Sequence, residues 1–141
     1  MRRAALLAIV AALAIPLALA DAKARVEHWA AMSTTAMSIT GDIDLSPTML
    51  RAAHVTYPLR VAADVLVFKA DTGTFPARIL AVTKPIKANL RHGNRFCEPS
   101  PRWIVVYHPD PGTLGMAVFS GPTKPGDIDS PGLCGTYSYS R

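Results

Sequence analysis

Glutamate is almost missing from this chain of 141 residues, cysteine occurs twice, and past residue 20 no apolar run approaches the length of a membrane span. Each scarcity excludes something. Glu27 and Glu98 are the only glutamates, so the chain offers no local glutamate pair for glycoside cleavage. Two cysteines without a CxxC motif argue against a reactive thiol and leave one possible bridge, Cys97–Cys134. A transmembrane helix needs about 20 consecutive apolar residues, and nothing after the first twenty supplies them. His28, His54, His92 and His108 show no HxH, HxxxH or HExxH spacing, and neither GxSxG nor SxxK occurs. No metal or cofactor is implied.

What is present begins with an address. Met1-Arg2-Arg3 is basic, Ala4 to Leu19 is apolar, and Ala18-Leu19-Ala20 offers small residues where a signal peptidase reads. This pattern predicts a secretory signal peptide over 1–20, cut before Asp21, with retention as an uncleaved anchor the alternative. No cysteine follows the cut, so a bacterial lipid anchor would have no attachment point. Removing the leader takes Arg2 and Arg3 from the fifteen basic residues. Thirteen remain against ten acidic ones, a net charge of +3. That is far from a nucleic-acid footprint. The remaining 21–141 is the size of one domain. Export places it in the periplasm or outside the cell, an oxidising setting in which Cys97 and Cys134 are expected to pair. Such a bridge closes a loop of about 37 residues, worth roughly 3.5–4 kcal/mol in the chain-entropy picture.

Proline and glycine punctuate the mature chain and favour many short strands. Met37 to Leu45 alternates, with Met37, Ile39, Ile43 and Leu45 on one face and a bulge expected at Gly41. Val55 to Val61 alternates as well, with Pro58 marking an edge or bulge. Val65 to Phe68 is apolar on both faces and reads as a central strand. Arg78 to Thr83, Arg102 to Tyr107, Leu114 to Ser120 and Cys134 to Tyr139 complete the set. Turns are expected at Asp71-Thr72-Gly73 and at His108 to Gly112. Asp21 to Met32 is the one candidate helix, from the spacing of Val26, Trp29 and Met32. Lys84 to Pro101 and Gly121 to Gly132 read as irregular. The fold class is all-β: a small antiparallel barrel or sandwich of about seven to nine short strands with one disulfide.

Five basic residues crowd one stretch: Lys84, Lys87, Arg91, Arg95 and Arg102, opposed only by Glu98. On a disulfide-pinned loop they form a candidate anion-binding surface; the alternative is a solvated loop. Asp42 with Asp44, and Asp127 with Asp129, are DxD pairs. They suit Ca²⁺ only if other oxygens converge, and solvated strand or turn aspartates explain them as well. Trp29, Trp103, Tyr107, Tyr137 and Tyr139 suit either a barrel-mouth pocket or, more simply, the core.

The run Ser33-Thr34-Thr35-Ala36-Met37-Ser38-Ile39-Thr40-Gly41-Asp42-Ile43 resembles the opening of small exported proteins of Gram-negative bacteria that have no assigned function. Leu133-Cys134-Gly135-Thr136-Tyr137 is similar to their ends, and Asn94 to Cys97 to an earlier Asn-x-x-Cys. The resemblance implies export and a disulfide, and carries no active site.

These readings predict an exported binding or interaction module of the cell envelope, with an envelope protein or an anionic surface as partner. A β-barrel carrier of a small hydrophobic ligand is the first alternative, and a hydrolase with a dispersed site the second. The sequence favours binding over catalysis and leaves the question of an enzyme open.

Overall fold

Residues 25–141 are described by the computed structural model; the leader reading and the start of the expected helix fall outside them. Eight strands follow in order: β1 (Glu27–Ala31), β2 (Ile43–Ser46), β3 (Met49–Ala52), β4 (Val55–Lys69), β5 (Thr74–Val82), β6 (Trp103–Tyr107), β7 (Thr113–Phe119) and β8 (Leu133–Ser140). Helix α1 (Thr34–Ile39) joins β1 to β2, and a 3-10 turn at Arg91–Gly93 interrupts the long loop after β5. Each strand pairs antiparallel with its sequence neighbour, and β8 returns to β1, closing a barrel. The closure is short, made by Ala30 opposite Ser140 and Ala31 opposite Tyr139, and the far half of β4 pairs with β5 alone. Cys97 and Cys134 form the expected disulfide, with 5.3 Å between their Cα atoms.

Alternation along the strands builds the interior. Trp29, Ile43, Leu45, Leu50, Tyr57, Leu59, Leu80, Ile104, Val106, Leu114, Met116, Tyr137 and Tyr139 pack into one buried cluster. One end of the bore is plugged. There Phe96 meets Tyr57 and Tyr137 edge-on, with ring centroids 5.3 and 5.4 Å away. Ala36 of α1, Leu90 and Cys97 join the same packing. Buried Thr40 and Tyr139 share a hydrogen bond of 2.9 Å between their hydroxyls.

The opposite face of the sheet is also apolar, which an eight-stranded barrel alone would leave wet. Ile79, Val105, Tyr107, Ala117 and Phe119 form a second buried cluster with Phe68 and Ala70. The fifteen-residue β4 makes this possible by bending twice. Its register against β5 slips between Val61 and Ala63 and again between Val65 and Phe68. The second slip lies across from Pro76, which has no N–H to offer a ladder. Beyond it the β4–β5 hairpin brings Phe68 and Phe75 onto Tyr107; the Phe75 ring lies 5.5 Å from it and nearly parallel. Gly115, the cross-strand partner of Tyr107, leaves the room. A Cβ there would lie 2.2 Å from the tyrosine ring.

Three local expectations are corrected. Glu27–Ala31, inside the expected helix Asp21–Met32, is a strand; Trp29 is buried while Val26 and Met32 are exposed, so period two overrides spacing three. Met37–Leu45 is not one strand. Ser33 caps α1 by accepting from the Ala36 N–H, and Gly41, at φ +63°, ends the turn of chain before β2 starts. Val65 to Phe68 is not a central strand buried on both faces: it continues β4, and at the bulge Leu66 is 87% and Val67 69% exposed.

Candidate functional site

Opposite the plug the barrel is open. A cleft of about 600 Å³ occupies this mouth, its apolar wall formed by Leu45, Leu80, Val106 and Leu114. These are interior residues of four different strands, so the cleft continues the core out to solvent. Leu66 overhangs it from the bulged hairpin, and Pro76 faces it from β5.

Polar and charged side chains, Arg25 and Ser46 among them, make up nearly half of the residues lining the mouth, and most of them are paired. Asp64 and Arg78 are cross-strand partners, with Arg78 Nε donating to Asp64 at 2.7 Å. The Arg78 guanidinium holds the Asp64 carboxyl below its usual range. Glu27 accepts from Arg141 at 2.8 Å, and that guanidinium lies 4.7 Å over the Trp29 ring. His108 stands 5.6 Å from the same ring and bonds the Thr113 carbonyl through Nδ1. Trp29 itself is fully buried, and its Nε1–H has no partner among the described residues. A cleft of this kind can hold an apolar body and present a polar pair to one end of it.

The basic stretch divides. Arg91 donates to the Met37 carbonyl at 2.7 Å, tying the loop to α1. Arg95 donates to Glu98 and to Asn89, at 2.8 and 3.0 Å, within its own loop. Lys84, Lys87 and Arg102 are exposed and have no ion pair among the described residues. The five do not therefore act alike.

The other candidates have local partners. Asp44 accepts from Arg51 and lies 2.9 Å from His28 Nδ1; both lower its pKa, the arginine more. Asp42 accepts from the Ala31 N–H. Asp127 accepts from the Asp129 N–H in its turn, and Asp129 pairs with Lys69. Among the described residues no three His, Cys, Asp or Glu side chains converge on a metal position. Tyr137 and Tyr139 are buried in the interior, and Tyr107 in the outer cluster, where its hydroxyl donates to Asp71. Trp103 packs at the edge of that cluster and donates to the Gly121 carbonyl.

No family model, no curated protein and no solved structure matches this chain.

Sequence reasoning put Leu45 and Val106 on strand faces but had no means of joining them into one mouth. The Asp64–Arg78 pair was also missed; its signal is the register of β4 against β5, which depends on a bulge.

Proposed function

We propose that this protein is an exported binding module of the cell envelope, with the mouth of the barrel as its ligand site. The ligand is a small amphipathic molecule. Its apolar body lies against Leu45, Leu80, Val106 and Leu114, and its polar end meets the Asp64–Arg78 pair. The observation that carries this reading is the open apolar cleft of about 600 Å³, within the usual size of small-molecule sites. Of the carrier and surface-binder readings, the cleft favours the carrier.

Thermal unfolding in the presence of medium-chain fatty acids and their alcohols tests it. A ligand at about 100 times its dissociation constant should stabilise the fold by about 2.7 kcal/mol. Leu66→Asp should remove the shift, because a charge would then overhang the apolar wall. A melting temperature indifferent to every amphiphile would defeat the proposal.

The exposed Lys84, Lys87 and Arg102 support a second reading, in which this side of the molecule rests on an anionic surface. Binding to anionic vesicles that fades with salt, and is lost in Lys84→Ser/Lys87→Ser/Arg102→Ser, would favour it.

A further inference from the structure

A second cleft, of about 460 Å³, is lined by residues of a different kind: His28, Asp42, Asp44, Arg51, His54 and Arg91 among them. Its charges are not all answered. Asp44 is paired with Arg51 and lies 2.9 Å from His28 Nδ1. Asp42 gives one oxygen to the Ala31 N–H, while the other lies 3.8 Å from His28 Nε2, too far for a hydrogen bond. Arg91 meets a backbone carbonyl and no carboxylate among the described residues, so its positive charge is uncompensated. Gly41 lets it lie there: a Cβ on Gly41 would come within 3.1 Å of Arg91 Nη1.

Backbone strain gathers at the same place. Ala53, His54 and His92 are the non-glycine residues with positive φ among those described, at 45°, 71° and 55°. Ala53 and His54 form the β3–β4 turn and line the cleft, and His92 follows Arg91. A two-residue hairpin turn with both φ values positive is normally built from Asn-Gly or Asp-Gly. Histidine at this position costs stability that glycine would not, and strain of this kind gathers at functional sites.

We propose that this cleft binds a hydroxylated oxyanion, an anionic sugar. Arg91 and His54 take the anionic group, and the free oxygen of Asp42 accepts a sugar hydroxyl. The anion can be a phosphate ester or a carboxylate; the chemistry at Arg91 is the same. The site is separate from the barrel mouth and stands or falls without it.

Calorimetric titration of the protein with glucose 6-phosphate, glucuronate, inorganic phosphate and glucose tests the proposal. Saturable binding of glucose 6-phosphate or glucuronate, with glucose at least about tenfold weaker, is the expected result, and the tighter of the two identifies the anion. His54→Gly should weaken that binding by about tenfold or more while thermal unfolding stays unchanged or shifts upward. A residue that served only the turn would give the upward shift without the loss of affinity. Asp42→Asn should weaken the sugar and leave inorganic phosphate unaffected. No binding by either anionic sugar, equal binding of glucose, or affinity unchanged in both variants would overturn the proposal.

Discussion

At one end of the barrel Phe96 fills the bore between Tyr57 and Tyr137, and Thr40 hydrogen-bonds the buried hydroxyl of Tyr139. At the other, Leu66 stands 87% exposed above an open apolar cleft, and the Trp29 Nε1–H has no partner. The same alternation of apolar residues runs to both ends, so the strands alone do not set the difference. What lies across each end does. A helix and a disulfide-bound loop are spent on closing one, and only a bulged hairpin reaches over the other. The packing that closes the plug has no counterpart at the mouth, where Leu45, Leu80, Val106 and Leu114 are buried by their barrel neighbours and Leu66 stands in solvent.

The contrast can be tested from the strongest perturbation downward. Burial raises the phenols of Tyr57 and Tyr137 from the ordinary 10 to about 12, and that of Tyr139 is raised further. The fold thus favours the neutral phenols: their contribution is intact below pH 10 and is lost as pH rises from about 10 to 12 and beyond. Alkaline titration should give tyrosinate absorbance rising together with loss of the far-ultraviolet dichroism. Tyrosines that ionise with the fold intact would show the plug to be looser than its packing. Next, Cys97→Ala/Cys134→Ala removes a bridge between residues 37 apart and should cost about 4 kcal/mol in denaturant unfolding. A cost under about 1 kcal/mol would mean that the loop holds its place by packing alone.

Gly115→Ala should cost about 3 kcal/mol, the upper range for overpacking, because Tyr107 is held by Phe68, Phe75 and Asp71 and cannot withdraw. Thr40→Val should cost about 1.5 kcal/mol by leaving the Tyr139 hydroxyl buried and unpaired. Leu66→Ser should change stability by no more than about 0.5 kcal/mol, as at any exposed site away from the core. A larger loss on Leu66→Ser would show that the mouth is already closed in solution.

Sequence patterning reached the fold further than the site. Trp103 to Tyr107 and Leu114 to Ser120 were readable because β-branched and aromatic residues flank a turn that Asp110 closes through its side chain and carbonyl. Strand β3 went unforeseen: four residues with only Leu50 and Ala52 buried are too short to show a period. The six-residue α1 was hidden because Met37, Ile39, Ile43 and Leu45 happen to alternate across two different elements. The mouth was illegible for a different reason. Leu80, Val106 and Leu114 lie on the adjacent strands β5, β6 and β7, but Leu45 is distant from them in the chain, and only the barrel brings it to the same mouth. The basic stretch was visible as composition, but the engagement of Arg91 with α1 and of Arg95 with Glu98 depends on where the loop lies.

Strand β4 serves two masters. Tyr57 and Leu59 belong to the interior, Phe68 belongs to the outer cluster, and the bulges between them turn one continuous backbone from the first to the second. Neither cluster can come apart without dragging on the hydrogen bonds that hold the other, so the molecule should melt in a single cooperative step and not shed its hairpin first.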